Sequence, residues 1–291
     1  GLLFVINVLM TLMPQKFGLS DAGEAVRYSF LSVAVWWGFF TLFTIFWVQE
    51  KKEKIDSPSV ITIIAEGFRQ FAGIFKKVRH LKTIFLFLMA YWFYIDGVDT
   101  IIRMAVDYGL SLGFASNDLI VALLIVQFVG FPAALLFGKL GQFWGVRKSI
   151  FLAIGIYMLI TVWGTMMSNK IEFYILAGVV GLAQGGIQAL SRSYYSRLIP
   201  ADKPAEYYGF YNMLGKFAAI FGPALMGIVG LLARRILMPP APTAAQIEAV
   251  GRLASRWSIG SILLLFVVGA VLFYFVDEEK GKKEAICLLE E

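Results

Sequence analysis

Cysteine, histidine and charge are all scarce in this chain. Of 291 residues one is Cys (Cys287) and one is His (His80), and Asp, Glu, Lys and Arg together make up only 16%. A single Cys excludes a disulfide framework and a thiolate zinc cage, and a single His excludes a multi-histidine metal site. No P-loop or other nucleotide motif occurs, so direct ATP coupling and a bound cofactor are not expected. Against that scarcity stand 59% hydrophobic residues and a mean hydropathy of +0.74. A soluble globular enzyme is excluded, because so few polar residues cannot cover its surface. The net charge of +6 is no sign of nucleic acid. The basic residues sit between apolar runs, as they do at a membrane surface, so membrane lipids are the expected partner.

Eight apolar runs recur, near Leu2–Met13, Tyr28–Val48, Thr83–Gly109, Leu119–Gly138, Ser149–Met167, Phe173–Ser191, Gly209–Ala233 and Trp257–Val276. Most approach the ~20 residues that cross a bilayer as a helix. The first is shorter, carries no basic start or cleavage site, and is read as a membrane helix cut near its beginning. No strand-like alternation competes. An all-α membrane bundle is expected, since helices satisfy their backbone within lipid.

Eight spans put both ends on one side. The face carrying the C-terminus holds 17 Lys and Arg against 7 on the other, with Arg103 and Lys216 left inside spans. The C-terminus is therefore expected in the cytoplasm. The expected organisation is a pair of helices in 1–49, a linker in 50–82, six helices in 83–276 and a cytoplasmic tail in 277–291. The linker opens on Glu50-Lys-Lys-Glu-Lys54 and continues with Val60, Ile61, Ile64, Phe68, Phe71, Ile74, Phe75 and Val78. Spacings of three and four predict an amphipathic helix at the anionic headgroups. An ordinary solvated linker is the alternative. The prolines of Met238-Pro-Pro-Ala-Pro242 argue against regular structure at the start of the last outer loop.

Polar residues inside such spans carry the functional question. Asp96, Asp99, Arg103 and Asp107 fall within one arc of about 80° on a helix, bordered by Thr100. An ionised group at mid-bilayer costs about 2.5–3.5 kcal/mol on translocon scales, so the stripe should face a wet cavity or pair internally. Arg103 can pair with Asp99 or Asp107 at i,i+4. Three carboxylates against one Arg leave a negative surplus that suits a proton, a sodium ion or a substrate ammonium. A structural ion-pair network is the competing reading. Gln184, Gln188, Ser191 and Tyr195 share a second face, as a substrate wall or as interhelical glue, beside the close-packing pair Gly181 and Gly185. Asn212 and Lys216 stand one turn apart in a glycine-rich span. Lys216 can receive a carboxylate, pair with an Asp, or snorkel to the surface. Trp36, Trp37, Trp47, Trp144 and Trp257 read as interfacial belt or core.

Two resemblances follow from motifs. Gly138-Lys-Leu-Gly-Gln-Phe-Trp-Gly-Val-Arg-Lys148 resembles the Gly-x-Leu-x-Asp-Arg-x-Gly-Arg-Arg loop of major facilitator superfamily transporters. Gly138, Leu140, Gly145, Arg147 and Lys148 match, while Gln142 stands for the Asp and Phe143 for the Arg. More of the chain is covered by Tyr94-Ile-Asp-Gly-Val-Asp-Thr-Ile-Ile-Arg103, Gly181-Leu-Ala-Gln-Gly-Gly-Ile-Gln-Ala-Leu-Ser-Arg-Ser193 and Gly209-Phe-Tyr-Asn-Met-Leu-Gly-Lys-Phe217. These are similar to the vacuole-effluxer family. The resemblance implies a major-facilitator bundle of twelve helices, of which this chain would hold the fifth to twelfth, and amino acids as a solute class.

A secondary transporter of a small polar solute, working by alternating access with proton coupling, is the expected function. Asp96, Asp99, Arg103, Gln184, Gln188, Asn212 and Lys216 are the expected solute- and ion-binding residues. A magnesium-dependent prenyl or diphosphate enzyme could use Asp96-Gly-Val-Asp99, but such enzymes need a second acidic cluster and no other span holds an internal carboxylate. A non-transporting membrane scaffold is the third reading.

Overall fold

A computed structural model describes residues 2–48, 81–200 and 204–290, with the single positions 67, 69 and 73 between them. The expected linker helix in 50–82 lies almost wholly outside the described residues. The described residues form helices without a strand. Seven helical stretches are long and apolar enough to cross a membrane, and an eighth, short apolar helix precedes them. The expectation of an all-α membrane protein of major-facilitator type is met.

Two compact units are formed. The first holds α1 (Leu2–Leu12) and α2 (Ala22–Trp47). Asp21 caps α2 by accepting the Glu24 N–H at 2.7 Å, and the Ser32 hydroxyl of α2 donates to Asn7 of α1 at 2.9 Å. Phe30, Trp37 and Phe46 of α2 are each at least 70% exposed. Large apolar side chains displayed outward in this number suit an apolar medium and not water.

The second unit runs through α3 (Lys82–Ser111), α4 (Ser116–Phe143), α5 (Val146–Met166), α6 (Lys170–Ser196), α7 (Pro204–Ala218), α8 (Phe221–Leu237), α9 (Ala244–Ser261), α10 (Leu263–Tyr274) and α11 (Glu278–Glu290). α3 is the most buried span, with Tyr94 and Phe87 fully enclosed. α6 lies along α4 because its glycines leave no side chain in the way. A Cβ on Gly181 would come within 2.9 Å of the Val126 carbonyl oxygen, and one on Gly185 within 3.1 Å of Ala134. Gly145 makes the α4–α5 turn at φ +85, where a side chain would be strained. Arg147 then reaches across to donate to the Tyr274 carbonyl at the end of α10, at 2.6 Å.

The run expected as one span at Gly209–Ala233 is two helices, α7 and α8, joined by a turn at 219–220. The last span also starts earlier than its apolar run. Thr243 and Gln246 form a capping box, so α9 begins at Ala244 although its first turns are polar. Residues 239–243 between α8 and α9 are not helical, as the prolines require.

The tail folds back. Asp277 accepts the Glu279 and Lys280 N–H groups at 3.0 and 3.2 Å, starting α11. Glu284 accepts from the Thr83 N–H and hydroxyl at 3.1 Å each, capping α3. Glu278 bridges Lys282 at 2.9 Å and Arg197 at 3.4 Å. Burial raises the Glu278 pKa, but the Lys282 hydrogen bond and the Lys282 and Arg197 charges outweigh it and hold the carboxyl below its usual range. A carboxyl depressed on folding adds stability above its unfolded pKa and loses it as pH falls through the folded value. The docked tail should therefore loosen as pH drops below the ordinary glutamate range. Amide exchange at residues 278–284 would rise with acid, and Glu278→Gln would flatten that rise.

Candidate functional site

α3, α6 and α7 enclose an open cleft of about 430 Å³. α3 contributes Tyr91, Asp99 and Arg103, α6 contributes Gln188 and Arg192, and α7 contributes Tyr211, Asn212 and Lys216. The register between α3 and α7 is set by the Tyr91 and Tyr211 rings, stacked at 4.3 Å. Gly215 makes that contact possible, since a Cβ there would lie 3.2 Å from the Tyr91 hydroxyl. Tyr195 also stacks on Tyr211, at 4.9 Å, and its hydroxyl donates to the Tyr207 carbonyl at 3.1 Å. Arg192 lies over the Tyr208 ring at 5.0 Å.

Of the residues singled out in the sequence, Asp99, Arg103, Gln188, Asn212 and Lys216 meet in this cleft. Asp99 is half-buried, and Arg103, Gln188, Asn212 and Lys216 are exposed on its walls. Arg103 and Lys216 are the charges that act on Asp99. Among the described residues none of the three forms a close ion pair, so the i,i+4 pairing of Asp99 with Arg103 is not made.

Asp96 stands apart. It is 2% exposed, and its Oδ1 accepts the Gly222 N–H at 3.0 Å and the Thr100 hydroxyl at 3.4 Å. It thus caps the first turn of α8, where a helix restarts inside the bundle with orphan N–H groups. Pro223 follows at a position whose N–H has no intrahelical partner anyway. The two carboxylates of Asp96-Gly-Val-Asp99 therefore serve different neighbours, which counts against a shared magnesium–diphosphate site. Gln184 faces an apolar pocket of about 100 Å³ lined by Ile101, Leu119 and Phe173 among others. Ser191 is buried and shares a hydrogen bond of 2.7 Å with Tyr94. Asp107 lines a separate cleft of about 340 Å³ with Arg234, Ser255 and Ser258.

The sequence alone missed Arg192, Tyr91 and Tyr211. Arg192 lies just past the apolar run Phe173–Ser191 and next to the basic loop that follows, yet the helix continues to Ser196. Arg192 lies four residues beyond Gln188 on the same helix face, and that spacing was the available signal. The charge of the cleft is the reverse of the surplus inferred from the α3 stripe. Three cations, Arg103, Arg192 and Lys216, face the single carboxylate of Asp99.

Comparison with known proteins agrees with the helical plan. The family described as "Vacuole effluxer Atg22 like" matches residues 1–233. The chain is similar to the MFS-type transporter YxiO of Bacillus subtilis, 35% identical over 95% of this chain and 60% of that protein. It is similar also to Autophagy-related protein 22 of Yarrowia lipolytica, 25% identical over 90% of this chain and 46% of the relative. Autophagy-related protein 22-2 of Aspergillus niger is 23% identical over 99% of this chain and 50% of its own length. The chain spans about half the length of the curated relatives it matches.

Proposed function

The chain belongs to the vacuole effluxer Atg22-like family, and on that premise we propose that it forms one wall of the solute path of a secondary transporter. The solute is small and polar, with amino acids as the first class to test. Transport proceeds by alternating access, in which one helical half rocks against the other around a fixed site. The observation that carries this reading is the charged cleft of α3, α6 and α7, set in helices whose outer faces are apolar. Fixed charges are costly in such helices unless a wet path needs them.

Asp99 is the proton site in this reading. It is the one carboxylate among the described residues that line the cleft, and protonation would change its attraction to Arg103 and Lys216. A solute or proton shifts a two-state equilibrium only by its differential affinity for the two states. Discharging Asp99 alters that balance where the solute binds, which couples the two. In this reading the protein sits in a bacterial cell membrane, which its similarity to the Bacillus subtilis transporter supports, with its C-terminus in the cytoplasm, which the distribution of Lys and Arg supports.

The test is flux of labelled amino acids into proteoliposomes of the full-length protein under an imposed pH gradient. Flux that follows the gradient and saturates with solute supports the proposal. A folded protein that carries no amino acid under any gradient removes that class. A protein whose flux ignores the gradient removes proton coupling.

A further inference from the structure

The cleft is asymmetric along its length as well as in its charge. Tyr91 and Tyr211 are stacked at 4.3 Å and mark one level. At 1.5 Å per residue, Lys216 is about 8 Å along α7 from that level, Asp99 about 12 Å along α3 and Arg103 about 18 Å. Lys216, Asp99 and Arg103 therefore belong to one end of the cleft. Arg192 belongs to the tyrosine end, held over the Tyr208 ring at 5.0 Å. Gln188 is one turn from it toward the other end.

A neutral zwitterion needs one anionic and one cationic partner. Asp99 and the Lys216–Arg103 pair supply both at one end. Arg192 is then left over, and among the described residues its guanidinium has a ring face but no carboxylate. Arg192 is exposed on the cleft wall, where a solute carboxylate is the anion it can take up. Resting on the transporter reading above, we infer that the solute carries a second acid group: it is an acidic amino acid. Its ammonium sits on Asp99, its α-carboxylate on Lys216 and Arg103, and its side-chain carboxylate on Arg192. The planar fork of Arg192 suits a carboxylate bidentately.

Equilibrium binding to the full-length protein in detergent tests this without any flux, with L-glutamate, L-glutamine and L-leucine as probes at neutral pH. Glutamate is expected to bind about tenfold or more tighter than glutamine, the discrimination that one hydrogen-bonded charge provides. Arg192→Gln should bring that ratio to about one, and Arg192→Lys should keep part of it. Equal binding of glutamate and glutamine overturns the inference, as does a preference that survives Arg192→Gln, or no binding of either. Flux separates the two readings. A protein that binds and moves leucine but ignores glutamate overturns the acidic solute and leaves transport standing. One that binds glutamate selectively through Arg192 yet moves nothing does the reverse.

Discussion

Asp99→Asn is expected to abolish pH-driven solute accumulation and to slow exchange at equal pH by about thirtyfold or more, while Asp96→Asn keeps most of both. The contrast is sharp because the two carboxylates are one turn apart on α3 and the same type of residue. Asp99 lines the cleft beside Arg103 and Lys216. An amide there neither takes a proton nor balances the two cations. Removing one member of a desolvated charge set costs about 2–5 kcal/mol, and the openness of this cleft argues for the lower end of that range. Asp96 has a different task, since it accepts the Gly222 N–H and the Thr100 hydroxyl. An Asn oxygen accepts both of those bonds. Parallel measurements of accumulation under a pH gradient and of exchange without one decide the matter. Unchanged gradient-driven flux in Asp99→Asn would remove this residue from coupling, and equal losses in the two variants would remove the division of labour.

The spans were legible in the sequence because twenty apolar residues in lipid have one solution, a helix. Their breaks were not. The run through Gly209–Ala233 is long enough to read as one span, yet α7 stops at Ala218 and α8 starts at Phe221. Pro223 was a local signal for a break there, but the carboxylate of Asp96 that caps the restart lies on another helix, and a helical wheel holds no information about neighbours. The same limit governs the site. Asp96, Asp99, Arg103 and Asp107 share an arc on α3, but α8 takes Asp96 and a separate cleft takes Asp107. Gln184 and Gln188 are likewise one turn apart and face different cavities. Periodicity gives the face of a helix to about a quadrant, and within a quadrant the packing partner decides the function. Arg192 shows the opposite error. Its proximity to a basic loop hid a residue that α6 carries into the cleft.

The break between α7 and α8 also yields the largest expected loss of stability, at Gly222. A Cβ at this position would overlap the Thr100 hydroxyl and come within 2.8 Å of Thr100 Cβ and 3.0 Å of Asp96 Oδ1. Thr100 is fully buried and Asp96 nearly so. Gly222→Ala must therefore push the first turn of α8 off α3. That adds the strain of overpacking, about 1–3 kcal/mol, to the loss of the Asp96 bond, about 1–3 kcal/mol for a buried group left unpaired. Asp96→Ala should cost only the second of these, because it empties space instead of filling it. The order of thermal midpoints in detergent should then be unaltered protein, Asp96→Ala, Gly222→Ala. Thr100→Ala should recover part of the Gly222→Ala loss, since it removes the overlapping hydroxyl but keeps its own Cβ. A Gly222→Ala protein as stable as the unaltered one would mean that the helix break is held by something other than this contact. The same variant is the strictest check on Asp96, because it disturbs the cap without touching a charge.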